Sequence, residues 1–202
     1  MLVDSEPIVN RVYVELMREL GHDMDETASL REFSGASMAT RLAALRRRFA
    51  WSPTAGFEEA FHARLAPVIA RELEPVTGIE RVLRNVRAPF CAASNGSTAD
   101  MRERLGAAGL LPYFANALFS APELGRPKPF PDVFAYAAQA YGALPRRCAV
   151  VEDSLTGVQA GVAAGMTVFG YAAHSDGETL RDAGAIAFAR MDDLLDLLNA
   201  SR

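Results

Sequence analysis

The chain has 202 residues, half of them hydrophobic and 23% charged, which is enough for one domain carrying an insertion or for two small domains. A net charge of −4 with no long basic stripe excludes nucleic acid and an acidic membrane surface as partners. No apolar run approaches the ~20 residues that span a bilayer, so the expectation is a cytoplasmic protein, monomeric or weakly homo-oligomeric.

Residues 1 to about 75 read as helical. Pro7 to Leu20 repeats apolar residues at Ile8, Val12, Leu16 and Leu20, and Gly21 stops the pattern. Asp25 to Phe33 predicts a second helix. Ser37 caps a third, running to Phe49 with Met38, Leu42 and Leu45 on one face. The Arg46-Arg47-Arg48 run in that helix reads as a solvated face. Pro53 breaks the chain, and Gly56 to Leu73 predicts a fourth helix, disturbed at Pro67. Trp51 covers part of this helical core. The three histidines, His22, His62 and His174, show no metal-ligand spacing.

From Pro75 the pattern alternates between strand and helix, the signature of a parallel sheet with crossover helices. Expected helices are Gly78–Val86, Thr98–Ala108, Pro131–Tyr141, Leu155–Gly165 and Asp192–Asn199. Expected strands are Pro89–Ala93, Ala117–Ser120, Cys148–Val151 and Met166–Tyr171, with Ala185–Ala189 at an edge. Right-handed crossovers stack these into a doubly wound α/β sheet. The two cysteines, Cys91 and Cys148, lie in apolar runs and read as buried thiols.

Three features fall at successive strand ends. Ser94-Asn95-Gly96 is either an ordinary strand-to-helix turn or a phosphate cradle built from a hydroxyl and backbone N–H groups. Gly125 to Asp132 carries three prolines around Lys128. It is either a surface turn or a rigid mount for one ammonium near an anion. Glu152-Asp153 is either an acid pair at a solvated helix start or a carboxylate pair that tolerates its own repulsion because it holds Mg²⁺.

In this order, the motifs resemble the haloacid dehalogenase superfamily, in its branch of helical-cap phosphatases and β-phosphoglucomutases. The resemblance runs through Leu2-Val3-Asp4-Ser5-Glu6, Ser94, Lys128 in Arg-Pro-Lys-Pro-x-Pro-Asp, and Val151-Glu152-Asp153-Ser154. It implies a helical cap domain over 1–74 and an α/β core over 75–202. Ser94, the Asn95 backbone and Lys128 hold a phosphoryl group, while Asp153 with Glu152 beside it holds Mg²⁺. Gly35 and Ser37, in the Ser34–Ser37 loop near Arg41, resemble the cap loop that selects substrate. The implied activity is a Mg²⁺-dependent phosphatase of a small phosphorylated metabolite, such as a sugar phosphate or phosphoglycolate, acting through an aspartyl phosphate. The alternatives are phosphoryl transfer of the β-phosphoglucomutase type, or an inactive fragment that retains phosphate and metal ligands.

The family's Asp-x-Asp-Gly motif, which supplies the attacking carboxylate and the general acid/base, falls ahead of Met1. Asp23-Met24-Asp25 has the letters but no apolar strand leading into it, and reads as a polar loop. The resemblance also makes the absent strand the central one, between the strands ending at Ser94 and Asp153. Each backbone group left unpaired and buried there costs about 1–3 kcal/mol. The expectation is a chain truncated from a longer natural protein.

Overall fold

The computed structural model describes residues 1–33, 38–52, 54–114, 116–173 and 175–200, apart from the side chains of Arg31 and of 38–40. The expected Ser37 cap and the Gly35 and Ser37 site assignments lie outside the described residues. Two compact units emerge. One is Asp4–Glu74; the other joins Met1–Val3 to Pro75–Arg202.

The first unit contains helices α1 (Glu6–Glu19), α2 (Glu26–Phe33), α3 (Met38–Phe49) and α4 (Phe57–Glu72). Helix α1 buries Ile8, Val9, Val12, Tyr13 and Met17, the stripe that a 3.6-residue period demands. Helix α4 answers with Phe57, Phe61, Leu65 and Ile69, one residue per turn. Pro67 lies on the exposed side of α4, so the helix loses a solvent-facing hydrogen bond and continues. The rings of Phe33 and Phe61 meet the fully buried Tyr13 edge-on, at 6.1 and 6.3 Å.

Two polar clasps inside this unit are invisible to hydrophobic periodicity. Asn10 is buried on α1, accepting from Ser29 Oγ at 2.8 Å and donating to the Glu26 carbonyl at 2.9 Å. Arg41 is only 2% exposed. It donates to the Phe33 carbonyl at 2.9 Å and to Glu6 at 3.2 Å, with the rings of Tyr13 and Phe33 beside its guanidinium. Burial lowers its pKa, and the Glu6 charge opposes that shift. Asp23 is fully solvent-exposed between α1 and α2, and Asp25 accepts the Ala28 N–H at 2.7 Å, as a polar loop ahead of a helix should. Arg46, Arg47 and Arg48 are exposed on the last turn of α3.

The second unit runs α5 (Ile79–Asn85), β1 (Ala92–Ser94), α6 (Thr98–Ala107), α7 (Leu111–Phe114), β2 (Leu118–Ser120), α8 (Asp132–Ala140), β3 (Ala149–Glu152), α9 (Leu155–Ala163), β4 (Thr167–Tyr171), α10 (Gly177–Asp182), β5 (Ile186–Phe188) and α11 (Leu194–Ala200). Among the described residues the named strands pair in parallel, and an isolated antiparallel bridge joins Val3 to Pro75. β1 pairs with β2, setting Ser94 opposite Ser120; β3 pairs with β4, which pairs with β5. Among the described residues β1 and β3 thus have one ladder partner each, and the α/β layer is split into a two-stranded and a three-stranded sheet.

One cluster around Ile79, Leu105, Leu110, Phe169 and Leu194 and a second around Val133, Val150, Val158 and Val168 form the core. Gly161 on α9 lies so close to the sheet that a Cβ there would stand 2.7 Å from Val168 Cγ2.

Several boundaries shift from the sequence expectation. β1 starts at Ala92 rather than Pro89, and Pro89 itself has no N–H to give a ladder. Helices α7 and α10 went unforeseen: at four and six residues they are too short to show a period. Cys91 and Cys148 are free thiols but half-buried, not buried. Among the described residues, no helix is long and apolar enough to cross a membrane.

Candidate active site

Three loops leave the carboxyl ends of parallel strands, where ligands of α/β folds collect. The first follows β1. Ser94 Oγ accepts the Gly96 N–H at 3.0 Å, and Ser97 caps α6 in a reciprocal box with Asp100. Glu123, from the turn after β2, accepts both the N–H and the hydroxyl of Thr98, at 2.8 and 2.7 Å. Those two bonds hold its carboxyl below the usual range. The N–H groups of Gly96, Ser97 and Thr98 are therefore taken by side-chain oxygens, and the Ser94 hydroxyl remains the side-chain group this loop can offer an anion.

The second loop carries Lys128. Its base is fixed by Arg126, which donates to Asp132 Oδ1 at 3.0 and 2.9 Å and stacks over Phe130. The Asn95 amide grips the main chain of Lys128, accepting its N–H at 2.8 Å and donating to its carbonyl at 3.4 Å. The ammonium reaches across the split sheet. It donates to the Ala93 carbonyl on β1 at 3.4 Å and to Glu152 Oε1 on β3 at 2.5 Å.

The third loop follows β3. Glu152 is buried, one oxygen on Lys128 and the other accepting from Ser154 Oγ at 3.1 Å. Ser154 in turn caps α9 by accepting the Gly157 N–H at 3.1 Å. Asp153 faces outward, its side chain 43% exposed, and pairs with the Met1 α-ammonium at 2.8 Å. Its carbonyl accepts from Ser175 Oγ at 2.6 Å.

Asn95, Lys128 and Glu152 are thus joined by contacts between their loops, and Ser94 and Asp153 are the chain neighbours of Asn95 and Glu152. What sequence reading missed is the wiring: the Asn95 clasp on Lys128, the Glu123 cap on α6 and the Ser175 bond. These link residues 22 to 33 apart, and no local pattern signals them.

Fold and loops define a class, a parallel α/β enzyme fold with its polar side chains converging at strand carboxyl ends. A model of the haloacid dehalogenase-like hydrolases matches residues 2–165, and the chain belongs to that family. It is 31% identical over 201 residues to the 6-phosphogluconate phosphatase of Escherichia coli (strain K12), covering 98% of this chain and 90% of that protein. A haloacid dehalogenase-like protein of unknown function from Agrobacterium tumefaciens shares the fold with a TM-score of 0.86 at 33% identity, over 98% of this chain and 93% of that one. A family hydrolase from Deinococcus radiodurans, solved with bound phosphate and sodium, gives a TM-score of 0.82 at 30% identity, over 99% and 91%.

Proposed function

We propose that the protein is a Mg²⁺-dependent phosphatase of a small phosphorylated sugar or sugar acid. The observation that carries this reading is the Lys128 ammonium, fixed between the Ala93 carbonyl on β1 and Glu152 on β3, one residue along the chain from Ser94 and Asp153 respectively. Lys128 and Ser94 hold the equatorial oxygens of the phosphoryl group, where charge is spread during transfer. Support for the substrate class comes from the likeness to the E. coli 6-phosphogluconate phosphatase.

Asp153 fits a hard cation. Its side chain is 43% exposed, whereas both oxygens of Glu152 are engaged by Lys128 and Ser154. Mg²⁺ takes one or two carboxylates and fills its shell with water and substrate oxygens. Bound there, Mg²⁺ supplies Lewis-acid neutralisation of phosphoryl charge. In this reading Asp153 is the direct ligand and Glu152 serves Lys128. The unit Asp4–Glu74 is the cap.

In this reading the attacking carboxylate is that of an aspartate at the end of a strand in an Asp-x-Asp pair; among the described residues the one Asp-x-Asp, Asp23-Met24-Asp25, lies in a loop between α1 and α2. The test is phosphate release from a panel of phosphorylated sugars and sugar acids, with and without Mg²⁺, by this chain and by one extended with a strand ending in Asp-x-Asp. Turnover only in the extended protein with Mg²⁺ is expected. Equal rates in both chains would refute the assigned nucleophile, and no release from any substrate by either would refute the function. With a hexose 1-phosphate, recovery of the 6-phosphate rather than free phosphate would instead indicate a mutase.

A further inference from the structure

Lys128 is the chain's single lysine; every other member of its 21 Lys and Arg residues is arginine. A compact ammonium on a flexible stem, unlike a guanidinium fork, has no shape of its own to dictate where it stands. Its surroundings must do so, and they do so at both ends of the residue. The Asn95 amide makes two hydrogen bonds to the Lys128 main chain. At the other end the ammonium is fixed by Glu152 Oε1 and the Ala93 carbonyl, with the Phe134 ring 5.5 Å away.

The Glu152 carboxylate can occupy that position only because residue 157 has no side chain. A Cβ built on Gly157 would lie 2.1 Å from Glu152 Cδ and 2.2 Å from Oε2. Real carbons do not approach so closely. Gly157 does not need its glycine for backbone reasons, since it lies in the first turn of α9 and is absent from the positive-φ residues. Alanine is the better helix former, so propensity argues against glycine there. Room for the carboxylate is what argues for it.

We infer that Asn95 and Gly157 are positioning residues for Lys128: Asn95 holds its main chain, and Gly157 leaves the space in which Glu152 holds its ammonium. These roles belong to the Asn95 side-chain amide and to the empty space at Gly157, and neither of those touches a ligand. The inference rests on the reading of Lys128 as a phosphoryl-holding residue.

Inorganic phosphate is the probe, titrated calorimetrically into the 202-residue chain and its variants, with a urea unfolding curve for each. Asn95→Ala, at an exposed residue, is expected to weaken phosphate binding about fivefold to tenfold, the scale of a hydrogen bond or two, with its unfolding midpoint little changed. Gly157→Ala should weaken phosphate binding similarly and lower the midpoint, the opposite of its helix propensity. On an E152A background G157A should no longer lower the midpoint, and on a K128Q background neither N95A nor G157A should alter phosphate affinity. If K128Q abolishes binding while N95A and G157A leave it intact, the positioning roles are wrong and Lys128 keeps its own. If K128Q binds phosphate as tightly as the native chain, the reading of Lys128 falls and the inference falls with it. Should G157A alone fail to fold, the N95A pair and the G157A/E152A double variant still decide.

Discussion

Lys128 and Glu152, 24 residues apart in the chain, form an ion pair at 2.5 Å in which each side chain is only 9% exposed. Two charges so far out of water are tolerable only when nearly every donor and acceptor is matched. Ala93 and Ser154 supply the remaining partners. Replacing Lys128 by Met leaves the Glu152 carboxylate buried without its cation. We expect a loss of about 3–5 kcal/mol in urea unfolding, and a K128M/E152M double variant that recovers much of it. A single variant as stable as the native chain would show that the pair is not desolvated as described.

Gly161 makes the case for packing against propensity. Alanine there gains about 1 kcal/mol of helix propensity but overpacks α9 against β3 and β4, at a cost of about 1–3 kcal/mol. The 2.7 Å approach to Val168 Cγ2, with Val150 at 3.3 Å behind it, decides for the cost. G161A is expected to melt below the native chain, and V168A to relieve part of the loss. A rise in melting temperature for G161A would contradict the close approach.

These two positions mark what the sequence could and could not disclose. Small residues at Gly157, Ala160, Gly161 and Ala164 are the local pattern of a closely packed helix, and a serine at 154 is the local pattern of its cap. The alternating apolar runs likewise announced the parallel sheet. The partner of each small residue was hidden. Nothing in the letters says that Gly161 faces Val168 whereas Gly157 faces a carboxylate. The acid pair reads as a metal site, Asp153 with Glu152 beside it; the letters do not say that Glu152 turns inward to Lys128 and Asp153 outward, a distinction made by strand alternation and tertiary contact. In the helical unit, Asn10 and Arg41 break the apolar pattern they are buried in, since their partners lie on other segments.

Tyr13 offers a substitution of the unusual sign. Its ring is fully buried, and its hydroxyl has no hydrogen-bond partner among the described residues. Burial pushes its pKa up, with Arg41 opposing. Tyr13→Phe removes a desolvated hydroxyl and keeps the ring, so it should stabilise the chain by up to about 1 kcal/mol in thermal or urea unfolding. A clear destabilisation would mean that the hydroxyl bonds to an ordered water.

Burial, with a smaller contribution from Cys148, pushes the Cys91 thiol up to about 11 from its ordinary 9.0. The folded state then holds this proton more tightly than the unfolded state, so the associated stability is intact below pH 9.0 and declines as pH rises toward about 11. In a C148S variant, Cys91 at pH 9 should be alkylated by iodoacetamide more than about tenfold more slowly when folded than in urea. Equal rates would mean that the thiol is not desolvated.

The central claim is that the loops after β1, β2 and β3 hold one phosphoryl group with one cation. The most direct measurement is a crystal structure of this chain grown with inorganic phosphate and Mn²⁺, the metal located by its anomalous signal. The account predicts phosphate bonded to Ser94 Oγ and Lys128 Nζ, with the metal on Asp153 and not on Glu152. Phosphate and metal bound on separate faces, or phosphate out of reach of Lys128, would contradict it.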